Sequence, residues 1–546
     1  MRPGRSAAGF NDRDRWLVVA GALRVYAGCM HSPSKAAAVP PPTANGTFCP
    51  QSQRRYVLIA AILASALGFI DGSILAIATP AIRVDLGASL AQAQWISNAY
   101  ALTLSALILA GGAAGDRFGL RRAFVAGIAL FIAASLACAL APNPAVLIAF
   151  RAIQGVGAAI MVPGSLAIIA KAYPKKERGR AIGIWAAASA LTTALGPVLG
   201  GFVLSTLGNG IWRAIFAINL PLGLVSIYLL LAKIPADRPT EKRSLDLGGA
   251  ALATLAFGLL AYGLTAMNAE AAGFMSGSAI VAGVVLLFVF IFYERRQREP
   301  MIDLNLFRIG AFAGANLATF FLYFALSANL FYLPMLLIAG WGLSTAEVGF
   351  IFLPLSALIA LLSGPVGQWS DRIGPRFPIA SGSLVVAFAF AGLGLLTHAG
   401  IHNFWTGTFP LMALMGFGMA LVVSPLSTAI MTAVEDKDTG AASGINNAVS
   451  RIGGLIAVAA MGSLAAWVYA KALDGSALPG VPGFGEPAST GLAPAVDAAR
   501  LAASDAAFSA VSFVTALLCL LSAVIAWMTI SGESLPWRRP AENPRD

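Results

Sequence analysis

Apolar residues run along this chain in long, nearly unbroken stretches, not in the short alternations of half-buried strands or the one-sided stripes of water-facing helices. A helix needs about 20 such residues to cross the hydrocarbon core of a bilayer. Stretches of that length lie near 57–80, 94–115, 123–141, 145–170, 181–204, 212–232, 247–267, 275–293, 311–338, 346–367, 378–397, 405–432, 441–470 and 507–530. No continuous soluble domain fits between them. The pattern predicts an all-α polytopic membrane protein.

Composition agrees and narrows the classes. Of 546 residues, 58% are hydrophobic and 11% charged, against roughly 25% charged in soluble proteins. An ordinary cytosolic enzyme, a disordered chain and a disulfide scaffold are excluded. A net charge of +11 would elsewhere point to nucleic acid. In a membrane protein it has a simpler source, because cytoplasmic loops collect Lys and Arg. No nucleic-acid partner is expected; the lipid bilayer is the partner. The basic residues alternate accordingly: Arg54, Arg117, Lys175, Lys242, Arg295, Arg372 and Arg538 stand with their neighbours on one side of the spans, while the other side holds only Arg83, Arg213, Lys471 and Arg500. Both termini are therefore expected in the cytoplasm and 471–504 outside, in a plasma (inner) membrane. Residues 1–53 read as a disordered cytoplasmic tail and 532–546 as a second tail. Cys138 and Cys519 sit in apolar runs as small packing residues.

Two patterns occur twice. Gly112-x-x-x-Asp116-Arg117-x-Gly119-x-Arg121, after span 2, recurs as Gly367-x-x-x-Asp371-Arg372-x-Gly374-x-Arg376, after span 10. Gly179-x-Ala181-x-Gly183, opening span 5, recurs as Gly440-x-Ala442-x-Gly444, opening span 13. The two offsets are nearly equal, which predicts homologous six-helix bundles at 54–232 and 311–531, joined by a linker (233–310) with two extra helices. Halves so related enclose a central cavity and can rock against each other. A carboxylate such as Asp116 or Asp371 can face the positive N-terminus of a neighbouring helix, a contact worth about 0.3–1 kcal/mol when exposed. The two loops are candidate latches, with Gly112 and Gly119 allowing close approach; the alternative is a solvated loop that only fixes topology.

These residues resemble the major facilitator superfamily over nearly everything after residue 54. The duplicated loop is similar to that family's loop signature, with Leu120 at the first basic position. Leu147-x-x-x-Arg151-x-x-Gln154-Gly155-x-Gly157 matches its second signature, and Gly196-Pro197-x-x-Gly200-Gly201 is similar to the motif of its antiporters. Fourteen spans and Trp212-Arg213-x-x-Phe216-x-x-Asn219-x-Pro221 look like the QacA/EmrB drug:proton antiporter branch. Span 1 carries Ile70-Asp71-Gly72-Ser73, with Ala76 at the usual asparagine position. The resemblance implies a major facilitator fold and proton-coupled export of small, lipophilic organic compounds by alternating access. A proton symporter, a dedicated metabolite exporter and a non-transporting receptor or scaffold are the alternatives.

Ionisable residues inside spans are costly and mark candidate sites. The clear cases are Asp71, Arg151 and Arg451. At about 1.5 Å per residue, Asp71 and Arg151 reach similar depths. Asp71 is the candidate proton carrier with Arg151 as its electrostatic partner; a permanent structural ion pair is the alternative. Gln154, Asn446, Asn447 and Arg451 are candidates for lining the substrate cavity, and Gly196, Pro197, Gly200 and Gly201 for a flexible, leak-resistant seam. No Gly-x-x-x-x-Gly-Lys-Ser/Thr loop for ATP occurs, and neither HExxH nor GxSxG marks an enzyme. No cofactor is called for. His398 and His402 lack a third metal ligand in view. A periplasmic adaptor rests on family analogy alone. Met412, Met415 and Met419 read as core, and Trp95, Trp212, Trp341 and Trp405 as interfacial anchors.

Overall fold

Polar residues placed just before apolar runs start several helices. Ser89 accepts a hydrogen bond from the Gln92 amide at 3.2 Å while the Gln92 side chain accepts from the Ser89 amide. Ser344 and Glu347 repeat this box, and Asn143 and Asp246 cap singly. The computed structural model describes residues 48–235, 237, 246–267, 273–435, 438–473, 481–488 and 492–532.

Fourteen helices among the described residues are long and apolar enough to span a bilayer. They are α1 Gln51–Leu86, α2 Leu90–Phe118, α3 Leu120–Ala139, α4 Pro144–Ala172, α5 Lys176–Leu207, α6 Trp212–Lys233, α7 Leu247–Ala266 and α8 Gly273–Arg296. The second series is α9 Gly310–Gly340, α10 Thr345–Ile373, α11 Arg376–His398, α12 Phe404–Thr432, α13 Thr439–Leu473 and α14 Pro494–Thr529. No strand occurs among the described residues. Each expected span coincides with one helix.

The helix contacts repeat with a shift of eight. α1 packs on α5 and α6, α2 and α3 on α4, and α3 on α6; likewise α9 packs on α13 and α14, α10 and α11 on α12, and α11 on α14. Two six-helix bundles result, meeting where α2 crosses α13 and α5 crosses α10. The extra pair α7–α8 lies outside both. Its helix α7 covers the α2/α13 seam, placing Ala261 against Leu102, Leu455 and Ala459.

Three expectations need correction. Residues 48–53 belong to the fold, not to a tail. Cys49 is fully buried, which pushes its thiol up to about 11, and Gln51–Gln53 form the tight first turn of α1. Residues 1–47 and 533–546 of the expected tails lie outside the described residues. The loop after α13 is shorter than expected, because α14 begins at Pro494. There Arg500 pairs with Asp497 at 2.8 Å and donates to the Ala339 carbonyl at 3.0 Å, which fastens the polar first turns to the end of α9. Trp212 is no interfacial anchor: it is fully buried, its indole N–H bound to Asp85 at 2.9 Å. Met412, Met415 and Met419 are core residues.

The two faces of the bundle differ. Both described ends of the chain lie at one face with Arg54, Arg121 and Arg376, hereafter the basic face; Arg83 and Arg500 lie at the opposite face.

Candidate functional site

A single acid sits at mid-depth in the first bundle, with both carboxylate oxygens bound by α4. Asp71 on α1 is 1% exposed, as is Arg151 on α4, and Gln154 is fully buried. Arg151 forms an ion pair with Asp71 Oδ2, and Gln154 Nε2 donates to Oδ1 at 3.0 Å. Both carboxylate oxygens thus accept hydrogen bonds. Arg151 also donates to Gln154 Oε1 at 2.7 Å and to the Ile96 carbonyl at 2.9 Å. Its guanidinium lies 4.4 Å from the centre of the Tyr100 ring and 5.8 Å from that of Phe216.

Local sequence explains this convergence. Gln154 follows Arg151 by three residues and shares its helix face. Gly155 lets α4 approach α2, since a Cβ there would stand 2.4 Å from the Tyr100 carbonyl oxygen. Phe216 arrives because α6 breaks after Ala217, where Pro221 offers no N–H to that carbonyl. The break is secured by Asn219 donating to Ser135 at 2.9 Å and Ser135 donating to the Phe216 carbonyl at 2.9 Å.

Of the residues expected to line a cavity, Gln154 is reassigned: it is sealed inside the Asp71–Arg151 cluster. Asn447 and Arg451 are exposed, one turn apart on α13. Asn446 is half-buried, with its side-chain oxygen buried and unpartnered.

The Gly196–Gly201 motif forms a close crossing. Cβ atoms on Gly196 and Gly200 would each stand 2.9 Å from α1, at Ser73 and Ile74; one on Gly201 would stand 2.2 Å from the Thr345 carbonyl oxygen on α10. Thr345 Oγ1 donates to the Gly201 carbonyl at 2.8 Å, and a Cβ on Gly349 would stand 2.8 Å from the Pro197 carbonyl oxygen. These contacts lie near the opposite face. Two more join the bundles there. Arg83, at the end of α1, donates to the Phe484 carbonyl at 2.8 Å and pairs with Glu486 at 2.6 Å, both in the segment after α13. Gln94 on α2 donates to the Tyr332 hydroxyl on α9 at 2.8 Å. Toward the basic face α5 and α10 make no such close approach at their glycines: a Cβ on Gly183 or Gly364 would meet nothing within 4 Å. The close crossing of α5 and α10 thus lies at the opposite face, while α2 and α13 also touch in the basic half, at Leu109 and Gly444.

The duplicated loops stand at the basic face. Gly119 and Gly374 adopt φ of +90° and +84°, left-handed turns suited to glycine. Asp116 and Asp371 have no hydrogen-bond or ion-pair partner among the described residues, so neither is brought to a helix N-terminus. Arg117 lies beside Phe118, and Arg372 is exposed. Arg376 packs over Trp527 at 4.2 Å. Arg121 is a clamp, donating to the Leu230 and Leu231 carbonyls at 2.8 and 2.9 Å. Gly112 is not the close-approach point expected: the nearest atom to a Cβ there is 3.8 Å away, whereas one on Gly111 would stand 2.1 Å from the Ala159 carbonyl oxygen. Gly367 meets Ser424 at 2.8 Å in the same sense.

Sequence reasoning passed over Asp237. Its carboxylate accepts from the Leu120 and Arg121 amides at 2.8 and 3.0 Å and pairs with Lys171 at 3.3 Å, capping α3 from the linker. Nothing local sets it apart from Glu241 and Asp246 in the same basic stretch of the linker. His402 is likewise engaged, with Asp505 at 2.6 Å.

The comparisons with known proteins point one way. The family model described as Major Facilitator Superfamily matches residues 61–458 and 316–546. The chain is 35% identical over 418 residues to the Multidrug resistance protein Stp of Mycobacterium tuberculosis, covering 76% of each. It is 32% identical over 415 residues to the Tetracenomycin C resistance and export protein of Streptomyces glaucescens, covering 74% of this chain and 75% of that one. In fold it is similar to a bacterial homologue of the human lysosomal transporter Spinster in an inward-facing, unoccupied conformation, with TM-score 0.64 at 19% identity over 88% of this chain and 99% of that one.

Proposed function

The chain belongs to the Major Facilitator Superfamily, and from that premise we propose that it is a proton-coupled antiporter exporting small, lipophilic organic compounds across the plasma membrane by alternating access. The observation that carries this reading is the sealed Asp71–Arg151–Gln154 cluster. A lone carboxyl inside a bundle is costly unless paired, and one shared between a counter-ion and water can take or give a proton as its access changes.

The basic face is the cytoplasmic one, with both termini on that side. The bundles are 54–232 and 311–531. On this reading the outer side is the closed one. Exit requires parting of the Arg83–Glu486 and Gly201–Thr345 contacts and closure at the cytoplasmic face.

That closure has a built-in register. Leu109 on α2 meets Gly444 on α13, where a Cβ would stand 2.6 Å from it. Asp116 lies two turns beyond Leu109 on the same face of α2, aligned with the first turn of α13. By the repeat, Asp371 on α10 is aligned with the first turn of α5. Each duplicated loop thus pairs with the helix of the other bundle that carries the second duplicated pattern. Docking an aspartate on each helix N-terminus latches the cytoplasmic side shut.

Toxic compounds of diverse chemistry, tested for growth inhibition in an efflux-deficient host with and without the protein, check the export reading. Everted vesicles then give the coupling: compounds to which the host became resistant are expected to discharge an imposed pH gradient. Absence of both effects across the panel contradicts the reading.

A further inference from the structure

Deep inside the spans, charge accounting among the described residues leaves one cation over. Asp71 and Arg151 neutralise each other, and both are buried. Arg451 is exposed, makes no hydrogen bond or ion pair among the described residues, and stands 12 residues beyond Thr439, about 18 Å along α13. A charged arginine at that depth is costly, and too deep for its head to reach the membrane surface.

Its direction follows from the helix. Gly444, Ala448 and Leu455 share one face of α13, which packs on the first bundle and α7. Arg451 lies on that face by helical phase. Gly454 turns toward Ser327 of α9, where a Cβ would stand 2.7 Å from the hydroxyl. Arg451 therefore projects where the two bundles face each other. Tyr100 from α2 and Tyr323 from α9 both feel its charge. Asn447, one turn nearer the cytoplasm, is exposed in line with it. Among the described residues, Asp71 is the one acid at this depth, and its two oxygens are already taken.

We propose that Arg451 is the cargo-reading group of the substrate cavity, and that the preferred cargo is an aromatic organic monoanion such as a carboxylate, phenolate or sulfonate. The proposal rests on the export reading above and names its substrate class. The guanidinium offers five N–H donors in a planar fork that fits an anionic oxygen pair. Tyr323, half-buried on α9, supplies a flat apolar wall with a hydroxyl, while Tyr100 is buried against Arg151. In a cavity walled by helices the charge is less screened than at a surface, so a lipophilic cation is repelled.

Three probes of one shape and different charge test this: naphthoate, naphthylmethanol and naphthylmethylammonium, each radiolabelled, in equilibrium binding to the purified full chain at low salt. The wild type is expected to hold naphthoate at least about tenfold tighter than the ammonium compound. Arg451→Gln is expected to abolish that difference while still binding naphthylmethanol, which shows that the cavity is intact. Arg451→Lys is expected to keep the order and Arg451→Glu to reverse it. Equal or tighter binding of the ammonium compound by the wild type, or an unchanged preference in Arg451→Gln, overturns the proposal. If none of the three binds while the toxicity panel shows export, the proposal falls and the export reading stands. If the panel is also silent, both fall.

Discussion

Arg151 on α4 and Asp71 on α1 form an ion pair that water does not reach, and Gln154 closes it by binding each partner. Breaking such a pair from one side leaves an uncompensated buried charge, at a cost of about 3–5 kcal/mol. Arg151→Ala is therefore expected to lower the thermal unfolding temperature in detergent markedly. The double variant Asp71→Asn/Arg151→Gln, which removes both charges, is expected to recover most of that loss. Additive losses would contradict the pairing.

The Gly201–Thr345 crossing leaves no space for a side chain. Gly201→Ala puts a methyl 2.2 Å from a backbone oxygen, an overpacking cost of about 1–3 kcal/mol in the closed-outside state. Spin labels placed across α5 and α10 near that face should separate in this variant. Unchanged distances would show that the crossing does not set the state.

Arg83 is 3% exposed and holds the segment after α13 through the Phe484 carbonyl and Glu486. Glu486 is more open to solvent, so the backbone bond carries more of the contact. Arg83→Ala should raise labelling of a cysteine placed at the half-buried Val481 by an impermeant thiol reagent, with Glu486→Gln raising it less. The reverse order would contradict this ranking.

Asp237 caps α3 through two backbone amides. Asp237→Ala is expected to cost about 0.5–2 kcal/mol, read as a lower unfolding temperature. Asp116→Asn and Asp371→Asn, whose carboxylates are unpartnered in this state, should leave that temperature within a degree or so and slow export instead. A large stability loss in the latter pair would remove the latch.

Much of this architecture is legible in the sequence, for a physical reason. A bilayer demands about 20 apolar residues per crossing, so span number is written in composition, and duplicated loops reveal duplicated bundles. The depth of Asp71 and Arg151 follows from helix rise alone. What sequence does not carry is side-chain direction. Gln154 read as a cavity residue because its span was known but not the face it shares with Arg151. Trp212 read as an anchor because it stands at a span end, yet Asp85 draws its N–H into the fold. Gly112 and Gly111 differ by one residue and by the face that meets α4. Asp237 was hidden because a cap supplied from a distant linker leaves no local pattern.

The central claim is that Asp71 carries the proton that drives export. Purified protein in liposomes, with an imposed pH gradient and a cargo identified by the toxicity panel, tests it most directly. The wild type is expected to concentrate cargo only while the gradient lasts, and Asp71→Asn to lose that accumulation while still exchanging labelled for unlabelled cargo without a gradient. Gradient-driven accumulation by Asp71→Asn at the wild-type rate would contradict the account.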